Sequence, residues 1–161
     1  MVRKMILTAA VAMLVLPAMA SAQSEVTATA TVSPTAVVTG GGDVDFGPLS
    51  ASTDNVIAAD GGTVTRTLTY NHNLTVSFSN VPTALTSGTL TPLPVVLECA
   101  AQLGGTWSTP VQCDGGTIDL DVGVAQTIAT LGFGGTILAT DVANAAAGTY
   151  TATFDIVLTA R

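Results

Sequence analysis

Residues 25–32, EVTATATV, place Val26, Ala28, Ala30 and Val32 on one side of an extended chain and Thr27, Thr29 and Thr31 on the other. That period of two predicts a β-strand with one buried face. The alternation returns at residues 63–70, where Val64, Arg66, Leu68 and Tyr70 interleave with four threonines. It returns again at 117–124, through Ile118, Leu120, Val122 and Val124, and at 149–159, where Tyr150, Ala152, Phe154, Ile156 and Leu158 share a side. Shorter runs at 35–39, 43–49, 74–79, 93–99, 126–131 and 136–140 are also expected to be extended.

Between these runs lie turn signals: Gly40-Gly41-Gly42, Asp60-Gly61-Gly62, Asn71-His72-Asn73, Asn80-Val81-Pro82, Asp114-Gly115-Gly116 and Gly132-Phe133-Gly134-Gly135. Gly and Asn adopt the positive φ that tight turns need. The Ala-rich stretch 141–147 is the one place where a helical turn is expected. This pattern predicts an all-β fold: an immunoglobulin-like antiparallel β-sandwich of about seven to ten short strands. No linker or fixed-period repeat divides the chain, so residues 23–161 are expected to form a single domain.

The N-terminus sets the compartment. Arg3 and Lys4 precede an apolar run from residue 6 to 16, Pro17 breaks it, and Ala20-Ser21-Ala22 follows. These are the parts of a secretory signal peptide covering residues 1–22, with cleavage after Ala22. The run is shorter than the roughly 20 residues a membrane span needs, and no later segment qualifies, so no membrane insertion is expected after cleavage. The expected location is secreted: the periplasm or cell surface of a bacterium.

Cleavage leaves Arg66 and Arg161 as the only basic side chains besides His72, against eleven acids. Such a chain lacks the cations that meet phosphates in nucleic acid or anionic lipid, so neither is an expected partner. Its acidity suits solubility in an exported protein.

Cys99 and Cys113, alone in an exported chain, are expected to form a disulfide around a loop that contains Trp107. His72 falls in a turn, without a nucleophile elbow or a second metal-ligating His near it. The pairs Asp43/Asp45 and Asp119/Asp121 each put two carboxylates on one side of a strand. Without a calcium loop they read as solvent-facing alternation. The glycine clusters lack the sequence context of a phosphate cradle. No catalytic residue, cofactor or resident metal is therefore expected, and the chain does not read as an enzyme.

ATATV after the cleavage site, DVDFG at 43–47 and AAGTYTATFDIVLTAR at the C-terminus resemble a family of small secreted bacterial β-sandwich domains of unknown function. These are similar in turn to spore coat protein U and Csu-type fimbrial subunits. The resemblance runs from about residue 26 to 160. It implies an immunoglobulin-like sandwich serving as a surface or fimbrial structural subunit. In the fimbrial relatives each subunit lacks one strand and receives it from the N-terminal extension of the next. Carried over, Val26, Ala28, Ala30 and Val32 are the strand-addition face, and the partners are copies of the chain itself or related subunits. The alternative from the residues is a self-contained monomer that binds a ligand, such as a glycan or Ca²⁺, through its loops.

Overall fold

The computed structural model describes residues 30, 32–61, 64–123 and 127–161. Residues 33–161 make one compact unit. The expected signal segment, residues 1–22, lies outside the described residues, as do Val26 and Ala28. Ala30 and Val32 are described; both are outside any strand and exposed, Val32 to 81%.

The chain is an all-β sandwich, as its alternation predicts. The strands are β1 (Ala36–Thr39), β2 (Asn55–Ile57), β3 (Val64–Tyr70), β4 (Leu74–Ser79), β5 (Ala84–Leu85) and β6 (Leu93–Pro94). They continue with β7 (Val96–Leu103), β8 (Thr106–Trp107), β9 (Val111–Gln112), β10 (Thr117–Leu120), β11 (Thr127–Ile137) and β12 (Asp155–Ala160). One helix, α1 (Ala139–Asn144), separates β11 from β12.

The largest sheet has the order β1-β3-β11-β7-β8, with β2 beside β11 and β9 beside β7; a three-stranded sheet is β10-β4-β12, and β5 and β6 pair as a separate two-stranded ladder. The strand pairings are antiparallel. The residues of period two fill the space between the sheets: Val64, Leu68 and Tyr70 from β3, Leu131 and Phe133 from β11, Leu74 and Val76 from β4, Ile118 and Leu120 from β10. Burying a chain of such side chains, at roughly 1.5–3 kcal/mol each, is what drives the sheets together.

Cys99 and Cys113 form the expected disulfide, with Cα atoms 5.5 Å apart and both residues buried. It ties β7 to the chain just beyond β9.

Three local expectations are corrected. Residues 132–135 are not a turn: β11 passes straight through them, paired with β3, β7 and β2. The glycines are there because the segment after β2 crosses over β11 at their Cα atoms. A Cβ at Gly134 would lie 2.6 Å from the backbone nitrogen of Ala59, and one at Gly132 would lie 2.8 Å from the Trp107 ring. Glycine inside a strand marks such a close approach of another backbone.

Residues 43–49 are not a strand. Gly40 and Gly42, at φ 97° and 128°, redirect the chain after β1, and Asp45 Oδ1 accepts the Gly47 N–H at 2.8 Å in a tight local turn. The last strand begins at Asp155 rather than at 149. Before it, Thr151 makes an isolated bridge to Thr86. The short strands β2, β5, β8 and β9 bring the count above the seven to ten expected, because two- and three-residue ladders leave no alternation to read.

Candidate functional site

The irregularity of 43–49 and 149–154 opens one flank of the sandwich. β12 pairs with β4 along one edge, from Asp155 opposite Ser79 to Ala160 opposite Leu74. Its other edge carries no partner strand among the described residues. An unpaired edge beside an apolar core is a template for another strand.

Between this edge and the segment that follows β1 lies a cleft of about 950 Å³. One wall is Val44, Phe46 and Leu49; the other is Tyr150, Phe154 and Ile156. Leu97, Phe133 and Ile137 make the floor. Residues 148–154 and Ile156 all border the cleft, threonines included, and the alternation expected over 149–159 becomes a ladder only from Asp155 to Ala160.

Two of the lining phenylalanines, Phe133 and Phe154, pack on each other and on Phe78. Phe78, Phe133 and Phe154 meet edge-on or tilted, with centroids 5.8–6.2 Å apart, a geometry that favours aromatic pairs beyond their buried area. Tyr150 is pinned by a hydrogen bond from its hydroxyl to the Ala146 carbonyl at 2.9 Å.

Among the described residues, one cation borders this cleft. Arg66 occupies the inner side of β3 between Val64 and Leu68. Its Nη2 donates to the Gly42 carbonyl at 2.7 Å and its Nη1 to the Thr65 carbonyl at 3.3 Å. Neither acceptor is a carboxylate, and the ion pairs among the described residues all belong to Arg161. Asp43 and Asp45 also line the cleft but are exposed.

The other candidate residues are dispersed. His72 sits in the β3–β4 turn as expected, its Nδ1 3.2 Å from Asn71 Oδ1. Asp119 and Asp121 face Arg161, at 3.5 and 2.6 Å, so a cation already sits at this acidic pair. No group of three metal-ligating side chains exists among the described residues. Trp107 borders a smaller notch of about 280 Å³ with Leu103, Ile118 and Leu120. Part of its ring packs on Gly132, so the indole has a structural task.

Asn71 has a role that its place in a turn does not reveal. Its Oδ1 accepts the Thr35 N–H at 2.7 Å and its Nδ2 donates to the Ser33 carbonyl at 3.0 Å. It thereby fixes where the N-terminal segment leaves the sandwich. No spacing in the sequence marks this bond, which joins residues 38 positions apart.

No helix among the described residues is long and apolar enough to cross a membrane. Compared with known proteins, the chain matches no family model, no curated protein and no solved structure.

Proposed function

We propose that the chain is a non-enzymatic structural subunit of an exported assembly, of the pilus or surface type, joined by β-strand addition. Residues 25–32 of one copy, through Val26, Ala28, Ala30 and Val32, enter the cleft of another and pair with the free edge of the C-terminal strand. The observation that carries this reading is the unpaired edge of β12, whose Ile156 lines a cleft floored by Leu97, Phe133 and Ile137. A signal sequence and a buried disulfide suit export to the periplasm or the cell surface of a bacterium. The likeness to spore coat protein U and Csu-type fimbrial subunits supports the same assignment.

The test is the mass of residues 23–161 in solution by light scattering, with negative-stain imaging, beside the chain lacking 23–32. Oligomers or fibres from the first, and monomers from the second that bind a 25–32 peptide, are expected. A stable monomer from the full chain, with unfolding on truncation, would assign the strand to its own sheet and overturn the proposal.

A further inference from the structure

We infer that the stretch between β12 and the Thr151–Thr86 bridge is a latent extension of the C-terminal strand, which closes onto β5 when the cleft is filled. Its trigger rests on the strand-addition reading above. Its closing pair, Ala84 with Thr153, follows from the register of the described residues.

β12 pairs with β4 from Ala160 back to Asp155, which stands opposite Ser79. Four residues earlier the same chain meets the same partner chain again. Thr151 and Thr86 exchange both backbone hydrogen bonds, at 2.9 and 3.0 Å. The Thr86 hydroxyl also donates to the Thr151 carbonyl at 3.3 Å. Seven residues separate Ser79 from Thr86 and four separate Thr151 from Asp155, so the partner side carries three extra residues. The bend around Asn80 takes them up: Asn80 has φ 55° and donates from Nδ2 to Asp155 Oδ2 at 2.8 Å. The two antiparallel contacts are thus parts of one interrupted ladder.

The alternation of β5 places the missing pair. In an antiparallel ladder successive residues of a strand bond to opposite sides. Thr83 accepts the Val95 N–H on the β6 side at 3.0 Å, and Leu85 stands opposite Leu93. Ala84 stands opposite Pro94, which has no N–H to offer. Ala84 and Thr86 therefore direct their backbone groups to the other side, where Thr86 holds Thr151. Two residues along this register, Ala84 falls opposite Thr153. No backbone hydrogen bond joins them, and residues 152–154 belong to no strand.

Closure adds up to two backbone hydrogen bonds and fixes three residues, terms of similar size and opposite sign. With β5 as the only neighbour, the segment stays near that balance. A strand on its other side tips it, because residues 152–154 then have a ladder on both edges. Once closed, β12 runs from Thr151 to Ala160, and its free edge lengthens from six residues to ten, from about 20 Å to about 33 Å. Leu85 and residues 151–154 line the cleft, so the added edge lies along it.

Two measurements on the full chain of residues 23–161 test this. In the first, the chain carries Val26→Asp and Ala30→Asp, so that it has no apolar donor face of its own. Hydrogen exchange is followed at Ala84 and Thr153 with and without a wild-type 24–33 peptide. Without peptide both amides are expected to exchange at least about tenfold faster than those of Thr86 and Thr151, which are already bonded. Saturating peptide is expected to slow both by at least about tenfold. A peptide that raises the unfolding temperature yet leaves both rates unchanged overturns the latent extension while strand addition stands. In the second, Ala84→Cys with Thr153→Cys is treated with oxidised glutathione, beside Ala84→Cys with Thr149→Cys. Bonded partners in a closed ladder lie about 5.5 Å apart at Cα, within disulfide reach. Thr149 lies four residues, about 13 Å, further along. The 84–153 pair is expected to crosslink at least about tenfold faster than the 84–149 pair. If the peptide fails to bind, strand addition falls and the crosslink decides the extension by itself: equal rates, or no crosslink at 84–153, overturn it.

Discussion

The ring of Trp107 packs against the backbone of Gly132, so that a Cβ at position 132 would lie 2.8 Å from Cζ3 and 2.9 Å from Cη2. The same residue is crossed by the segment around Ala59, which is fully buried. Gly132→Ala is therefore expected to lower stability by about 1–3 kcal/mol, the range for forcing atoms into a packed site. Gly41→Ala, where nothing lies within 4 Å, is expected to stay within about 0.5 kcal/mol of wild type. Urea unfolding of the two variants gives the comparison; equal midpoints would show that the crossing segment yields freely.

The disulfide closes a loop with a sequence separation of 14. Chain-entropy arguments assign about 3 kcal/mol to a loop of this size. Cys99→Ala with Cys113→Ala is expected to cost at least that much, because both side chains are buried and their removal also leaves unfilled volume. Unfolding of the oxidised and the reduced wild-type protein separates the two contributions: the reduced chain loses the cross-link but keeps the sulfur atoms.

Alternation carries most of the fold and fails where backbone meets backbone. β3 and β4 are legible because one face of each is more deeply buried than the other, and β12 because half-buried Ile156 and Leu158 alternate with exposed residues. The run 132–135 is not, since a glycine placed for a turn and one placed for a crossing segment are written identically. Tyr150, Ala152, Phe154 and Ile156 show a subtler case. Their period of two marks a strand face, yet before Asp155 the chain finds only the single bridge of Thr151 to Thr86. Sequence reports which face a segment would bury; it does not report whether the neighbour that completes the ladder belongs to the same chain. Arg66 likewise stands out only as the polar member of an otherwise apolar face. Its position at the mouth of the cleft depends on where β1 stops.

Tyr70 predicts how stability depends on pH. Its hydroxyl donates to the Asp121 carbonyl at 3.3 Å. Burial pushes the phenol above its usual value of 10.0, and the nearby Asp121 charge adds to the rise. The folded state therefore resists an ionisation that the unfolded chain undergoes at about pH 10. This contribution is fully present below about pH 10 and is lost as pH climbs through the raised value. Thermal unfolding of wild type should thus weaken above about pH 10 more steeply than that of Tyr70→Phe. At neutral pH the Phe variant is expected to lose about 1 kcal/mol with the hydrogen bond. Parallel alkaline profiles for the two proteins would contradict the assignment.

If strand addition fills the cleft, the filled protein is more stable than the empty one. Any ligand that binds only the folded form stabilises it by mass action, by about 2.7 kcal/mol at a hundredfold excess over Kd. The full chain carrying Val26→Asp and Ala30→Asp retains its cleft while its own donor face is no longer apolar. Charges on that face are expected to abolish assembly, because each would be buried without a partner against Phe133 or Phe154. Titrating this variant with a wild-type 24–33 peptide should then raise its unfolding temperature progressively, with no change in mass beyond one peptide per chain. A peptide bearing the same two aspartates should leave the temperature unchanged. If both peptides act alike, the apolar face of residues 26–32 does not occupy the cleft, whatever the state of assembly of the wild type.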